Sequence, residues 1–143
     1  MKRTFFILMA LLVLSSLFLA ACSAAKSAEG EDAPVPAAYA GKKNPLAGNA
    51  DAITAGKAIY DTNCASCHGA GGKGDGPAGA ALTPPPEDLT SVMKEGKADD
   101  FLFFRISDGG AMAPYNSSMP AWKGTLSEEQ IWQVISYLQA TFK

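Results

Sequence analysis

Two cysteines and a histidine form the densest group of reactive side chains, in the run Cys64-Ala65-Ser66-Cys67-His68. Thiols can act as nucleophiles or as soft metal ligands, and imidazole is a common ligand of transition metals. His68 is the only histidine among the 143 residues, so this chain alone cannot build a site with two imidazoles. A dithiol redox pair, a structural disulfide and half of a zinc site are three possible uses of such a cluster.

The order of these residues favours a fourth use, covalent attachment of haem. C-x-x-C-H is the attachment pattern of c-type haem, in which both thiols add to the porphyrin and the imidazole binds the iron. A redox dithiol usually belongs to a βαβ unit, and no strand is predicted here. Zinc needs four ligands, and Cys22 is assigned below to another role. We therefore predict one covalent haem c, held by Cys64 and Cys67, with His68 as an axial ligand.

The second axial ligand has to come from another residue type. The methionines beyond the N-terminal segment are Met93, Met112 and Met119. Met119 precedes Pro120, whose fixed φ stiffens a loop and helps to hold a ligand in place. Met112 follows a Gly-Gly pair in a looser stretch and is the natural competitor. We predict Met119.

The elements that must position these residues are helices. The pattern predicts a helix over 51–63 capped by Asp51, a second over 98–107, and a last helix that begins after Ser127. Ser127 and Gln130 form a capping-box pattern. Glycine and proline dominate 69–86, and prolines interrupt 111–126, so both are predicted loops. We therefore predict that residues 51–143 form an all-α domain whose side chains are too few to fill its interior.

The order helix, C-x-x-C-H, Gly/Pro loop, helix, Met119-Pro120-Ala121-Trp122 and amphipathic helix resembles the class I, mitochondrial-type c-type cytochromes. It looks most like the bacterial single-haem domains that also occur as subunits of respiratory complexes. The resemblance covers residues 51–143 and implies the cytochrome c fold, with Met119 as the distal ligand. It also implies a close helix crossing at Gly56, against Tyr137 or Trp132.

The resemblance makes weaker statements about the surroundings of the haem. A proline carbonyl would accept the ring N–H of His68, and Pro77 fits best, with Pro84 to Pro86 as alternatives. Trp122 would reach a propionate or cap the pocket. Arg105 could face a propionate or be an ordinary solvated helix residue.

The N-terminus has the pattern of an export signal. A basic start is followed by an apolar run and then by Leu19-Ala20-Ala21-Cys22, which looks like a bacterial lipobox. We predict a lipoprotein-type signal peptide over 1–21 and a lipid on Cys22, with an uncleaved membrane anchor or an ordinary secreted product as alternatives. Residues 22–50 are predicted to be a flexible linker with a reach of roughly 30 Å. The alternative is a segment that packs on the domain through Tyr39 and Leu46.

Composition and charge restrict the function. Hydrophobic residues make up 48% and charged residues 18%, which argues against wholesale disorder. Twelve basic and 14 acidic residues leave no basic surface for nucleic acid. Residues 51–143 contain seven basic and 11 acidic residues, a net charge of −4.

A haem iron bound by both His68 and Met119 has no free position, so the sequence predicts an electron carrier with no catalytic residues and no small-molecule substrate. We expect the lipid on Cys22 to anchor the protein to the outer side of the cytoplasmic membrane or to another envelope membrane. The expected partners are a quinol-oxidising complex and a terminal oxidase or reaction centre. The alternatives are a fixed haem subunit of one large complex and a ligand-binding or peroxidase-type haem protein.

Overall fold

The computed structural model describes residues 32–143, which form an all-helical fold without a β-strand. No helix in this range is long and apolar enough to cross a membrane. The predicted signal peptide and Cys22 lie outside the described residues. The helices are α1 (Ala50–Asn63), α2 (Ala65–His68), α3 (Leu89–Glu95), α4 (Asp99–Asp108) and α5 (Glu128–Thr141).

The cap of α1 differs from the prediction. Asn49, rather than Asp51, is the N-cap, and its side-chain oxygen accepts a hydrogen bond from the N–H of Ala52 at 2.9 Å. Asp51 lies in the first turn, where its negative charge interacts favourably with the helix dipole. Asn and Asp are nearly equivalent caps, so residue type alone does not decide between two such neighbours.

Helix α5 begins with the predicted capping box. The N–H of Gln130 donates to Ser127 Oγ at 3.2 Å, and the N–H of Ser127 donates to Gln130 Oε1 at 2.8 Å. The predicted second helix is α4, displaced by one residue, and it ends at Gly109 with φ +73°. Helices α2 and α3 were not predicted because four and seven residues are too few to show a helical period.

The first and last helices cross at Gly56. A Cβ built on Gly56 would lie 2.5 Å from the carbonyl carbon of Gln133 and 3.0 Å from Tyr137 Cβ. The rings of Tyr60 and Tyr137 meet beside this crossing, with centroids 5.3 Å apart. The crossing therefore requires glycine at position 56, and of the two aromatic residues expected there it uses Tyr137.

The hydrophobic core surrounds a central cavity. Buried side chains of α1, α3, α4 and α5 form one cluster, and several of them also line a central cavity: Tyr60, Val92, Leu102, Ile106, Val134 and Leu138. This cavity agrees with the expectation that the side chains of so small a helical domain do not fill its interior.

Part of the predicted linker packs on the domain. Residues 22–31 lie outside the described range, but 32–49 form two turns against the helices, over 37–41 and 45–48. The ring of Tyr39 lies 5.7 Å from that of Phe104, and Asn44 Nδ2 donates to Ser136 Oγ at 3.0 Å within the interior. These contacts differ from the prediction of a free linker over 22–50 and match the alternative. One aromatic ring and one buried amide fix the segment, and neither produces a periodic pattern.

Candidate cofactor site

The central cavity has a volume of about 650 Å³, within the range of roughly 300–1,000 Å³ typical of small-molecule and cofactor sites. Most of its wall is apolar. Residues 82–93 cover one part of the wall, helices α1, α4 and α5 supply others, and residues 115–122 complete it. The predicted site residues on its wall are Cys64, Cys67, His68, Met119 and Trp122.

The turn after α1 brings both cysteines and the histidine to this wall. The N–H groups of Cys67 and His68 both donate to the carbonyl of Cys64, at 3.1 and 2.9 Å. This tight turn places all three side chains beside one cavity. Burial, followed by the neighbouring Cys67, raises the pKa of the Cys64 thiol to about 11, and neither cysteine is in a disulfide.

The environment of His68 suits a neutral metal ligand. Burial lowers its pKa, which favours the uncharged imidazole, while the carbonyl of Glu87 acts weakly in the opposite sense. Nδ1 lies 3.3 Å from that carbonyl oxygen. Because a carbonyl can only accept, Nδ1 carries the proton, and Nε2 is left with a free lone pair for a metal.

The carbonyl that accepts the ring N–H of His68 belongs to Glu87 and not, as the resemblance had led us to expect, to Pro77. Pro77 is exposed and does not line the cavity. The glycine loop after His68 folds back on the attachment turn, since the N–H of Gly76 donates to Cys67 O at 3.1 Å. Pro86 packs tightly on Gly79, where a Cβ would lie 2.7 Å from Pro86 Cγ. This packing brings the residue after the Pro84–Pro86 run, Glu87, to the imidazole.

Met119 reaches the cavity from the loop between α4 and α5. The N–H of Gly110 donates to Met119 O at 2.9 Å, and the N–H of Trp122 donates to Ile106 O at 3.1 Å, so the loop is held to the end of α4. Met119 is half-buried on the cavity wall. Met93 also lies on the wall. Met112 does not, and its sulfur lies 3.8 Å from Arg105 Nη1.

Arg105 and Tyr115 are polar members of the wall. The guanidinium carbon of Arg105 lies 3.4 Å from the centroid of the Tyr115 ring, and Arg105 Nη1 donates to Gly109 O at 2.6 Å. Burial lowers the pKa of Arg105, but an arginine remains charged at neutral pH. Sequence reasoning missed Tyr115 and Glu87; only the rigid triple-proline run before Glu87 signalled a fixed wall there.

The residues present fit a covalently attached haem. The cavity is largely apolar, two unpaired thiols and a neutral imidazole lie on one side of a single turn, and a thioether lies on the same cavity. Within residues 32–143, no three histidine, cysteine, aspartate or glutamate side chains converge as a metal-ion cluster. The donor set therefore suits an iron porphyrin, which brings its own four nitrogen ligands.

Known proteins place this geometry in context. The cytochrome c family profile matches residues 53–142. Cytochrome c6 of Leptolyngbya boryana is 34% identical over 89 residues, which cover 62% of this chain and 91% of that protein. Cytochrome c6 of Chlorolobion braunii is 30% identical over 86 residues, 60% of this chain and 86% of that protein. The cbb3-type cytochrome c oxidase subunit FixPc of Rhizobium leguminosarum bv. viciae is 27% identical over 86 residues, 60% of this chain but only 26% of that subunit.

Solved structures share the fold. Cytochrome cL from Methylophaga aminisulfidivorans superposes with a TM-score of 0.53 at 20% identity, covering 80% of this chain and 70% of that one. A chain of the reducing HAO-like protein complex of Kuenenia stuttgartiensis gives a TM-score of 0.53 at 26% identity, covering 68% of this chain and 46% of that one.

Proposed function

The chain belongs to the cytochrome c family, and on this premise we propose that it carries electrons one at a time between protein complexes at a membrane surface. It binds haem c covalently through Cys64 and Cys67. The observation that carries the proposal is the convergence of both thiols, His68 and Met119 on one apolar cavity.

Bound haem c supplies a one-electron iron couple. The sulfurs of Cys64 and Cys67 attach it permanently. His68 keeps its proton on Nδ1 and presents Nε2, while the thioether of Met119 is a soft ligand that favours the reduced state. With both His68 and Met119 bound, no position on the iron would be open to a substrate, and these residues would support electron transfer.

The assignment of Met119 is tested by replacing it. Met119→Ala should open the iron, lower the reduction potential and let the reduced protein bind carbon monoxide. Met112→Ala is the matched control, because Met112 lies off the cavity wall, and its absorption spectrum should stay near wild type. The reverse pattern would move the ligand to Met112. Carbon monoxide binding by the wild type would favour a ligand-binding or peroxidase-type haem protein.

Anchoring by lipid belongs to the same proposal. The support is the run Leu19-Ala20-Ala21-Cys22 behind a basic and then apolar start, which resembles a lipoprotein signal. The lipid on Cys22 would hold the domain on the outer side of the cytoplasmic membrane or on another envelope membrane. The cytochrome c6 and oxidase-subunit relatives support redox proteins as partners, and we propose a quinol-oxidising complex and a terminal oxidase or reaction centre.

Mass spectrometry of the mature N-terminus tests the anchor. We expect the mature chain to begin at Cys22 and to carry more than one acyl chain, because a single chain anchors only marginally. Cys22→Ser should give either soluble haem protein or an uncleaved precursor that stays on the membrane. An unmodified N-terminus well downstream of Cys22 would refute the anchor and leave the haem site unaffected.

A fixed position in one large complex is the second candidate. The FixPc relative favours it, since that protein is an oxidase subunit of which this chain matches about a quarter. Solubilisation in mild detergent separates the two candidates. A fixed subunit should co-purify with stoichiometric partner subunits, whereas a carrier should separate from them at moderate salt.

A further inference from the structure

Residues 32–46, which we call the strap, precede the part of the chain that matches the family. They pack on α4 and α5 and donate a hydrogen bond to Asp108 at the end of α4. They also contact the loop 109–126, which bears Met119, through Tyr115. We propose that the strap is a positioning element that holds this loop closed over the cavity and thereby keeps Met119 at the iron. The proposal rests on Met119 as the proposed ligand, but its first test does not depend on that assignment.

The first contact joins the strap to Asp108, the last residue of α4, to which the far end of the loop also returns. Tyr39 Oη donates to Asp108 Oδ1 at 2.8 Å, and the same oxygen pairs with Lys123 Nζ at 2.8 Å. Asp108 ends α4, just before the loop, while Lys123 lies four residues beyond Met119. A single carboxylate therefore links the strap, the start of the loop and its return.

The second contact reaches the middle of the loop. The N–H of Ala33 donates to Tyr115 Oη at 3.0 Å, across 82 positions of sequence. The ring of Tyr115 covers the guanidinium of Arg105 and lines the cavity. The adjacent part of the loop is folded on itself, because the N–H of Ser117 donates to Gly110 O at 2.7 Å and that of Gly110 donates to Met119 O. Release of Tyr115 would free this turn.

The strap can hold the loop because it is itself fixed to the helices. Asn44 is buried, and its Nδ2 donates to Ser136 Oγ on α5, while its N–H donates to Asp99 Oδ2 on α4 at 3.0 Å. The N–H of Gly41 donates to Asp100 Oδ2 at 2.7 Å. On the N-terminal side of these fixed points, the ring of Tyr39 packs against two phenylalanines of α4, Phe103 and Phe104. The strap therefore has contacts on two helices that do not involve the loop.

Hydrogen exchange of the loop amides in the holoprotein is the first test. Tyr39→Phe and Tyr115→Phe each remove one hydroxyl and keep the ring. The loss of a hydrogen bond worth about 0.5–1.5 kcal/mol corresponds to roughly two- to twelvefold more frequent opening. We therefore expect the amides of Gly110 and Ser117 to exchange faster by that factor, and those of α1 to exchange at the wild-type rate.

The matched control lies within the strap. Lys43 is exposed, and Lys43→Ala should leave every loop amide at the wild-type rate. Unchanged loop exchange in both tyrosine variants would overturn the proposal. So would equal acceleration of the loop and of α1, because that result means general destabilisation and not release of one loop.

Cyanide binding by the oxidised protein connects the strap with the ligand. If the strap keeps Met119 on the iron, the two tyrosine variants should bind cyanide faster by the same factor as their loop amides exchange, and Met119→Ala should bind it fastest. If the loop amides of the tyrosine variants exchange faster but Met119→Ala binds cyanide at the wild-type rate, the role of the strap is upheld and Met119 is refuted as the ligand. If Met119→Ala binds cyanide fast while the loop amides of the tyrosine variants exchange at the wild-type rate, Met119 is the ligand and the proposed role of the strap is refuted.

Discussion

The carboxylate of Asp108 accepts a hydrogen bond from Tyr39 in the strap and pairs with Lys123 at the far end of the loop. Burial alone would raise its pKa, but the hydrogen bonds from Lys123 and Tyr39 outweigh that effect and lower it. The same pair raises the pKa of Lys123. A carboxyl whose pKa is lower in the folded state stabilises the fold above its unfolded pKa of about 3.9, and that contribution disappears as the pH falls through the folded value.

Asp108→Asn should therefore lower stability in a pH-dependent way. At pH 7 we expect a loss of about 1 kcal/mol in the free energy of unfolding, since the contact is partly exposed. The difference from wild type should shrink below about pH 4 and vanish in stronger acid. Urea unfolding at several pH values measures it. A difference that is constant from pH 7 to pH 3 would contradict this account.

The residues of the attachment turn could be predicted because their chemistry follows from type and spacing alone. Cys64, Cys67 and His68 are contiguous, so no tertiary information is needed to bring them together. The acceptor for His68 could not be predicted in this way. It is the main-chain carbonyl of Glu87, 19 positions away, and a carbonyl group has no signature in the sequence. Tyr115 was missed for the same reason, since its role depends on a contact with Ala33.

Among the helices, α1 and α5 share the most extensive contact. Gly56 lets the two backbones approach, and the rings of Tyr60 and Tyr137 pack beside it. This contact was expected from the resemblance, and the amphipathic character of α5 was visible in the sequence. The strap was not predicted as structure, because it is held by single side chains and shows neither a helical nor a strand period.

Gly56→Ala tests the crossing. The added Cβ would meet the backbone of Gln133, so the helices must separate, and we expect a loss of about 1–3 kcal/mol despite the better helix propensity of alanine. Gly124→Ala is the matched control, because a Cβ there meets nothing within 4 Å. It should be neutral or slightly stabilising. Denaturant midpoints of the two holoproteins make the comparison, and equal midpoints would refute the close approach.

At the scale of the whole molecule, charge is the property that bears on partners. Residues 51–143 carry a net charge of −4 and contain only seven lysine and arginine residues from which a basic docking face could be built. Long-range electrostatic steering should accordingly be weak, or favour a partner with a basic patch. The proposed membrane tether would compensate by raising the local concentration of the domain near its partners.

Electron-transfer rates should therefore depend strongly on the tether and only mildly on salt. The measurement compares lipidated protein with Cys22→Ser protein recovered from the soluble fraction, against the same oxidase in membranes and across ionic strengths. We expect loss of the anchor to slow transfer more than a change in salt does. A tenfold or greater fall in rate at modest salt, with no effect of the anchor, would contradict this expectation.

The crossing at Gly56 also sets an order of assembly, because its two helices lie far apart in the sequence. Translation proceeds from the N-terminus, and α1 gains its principal partner only when Glu128–Thr141 has been made. Until then the loop that the crossing closes, which contains Cys64 to His68, cannot assemble around the central cavity. The attachment residues thus remain accessible until Glu128–Thr141 has been made and has packed on α1.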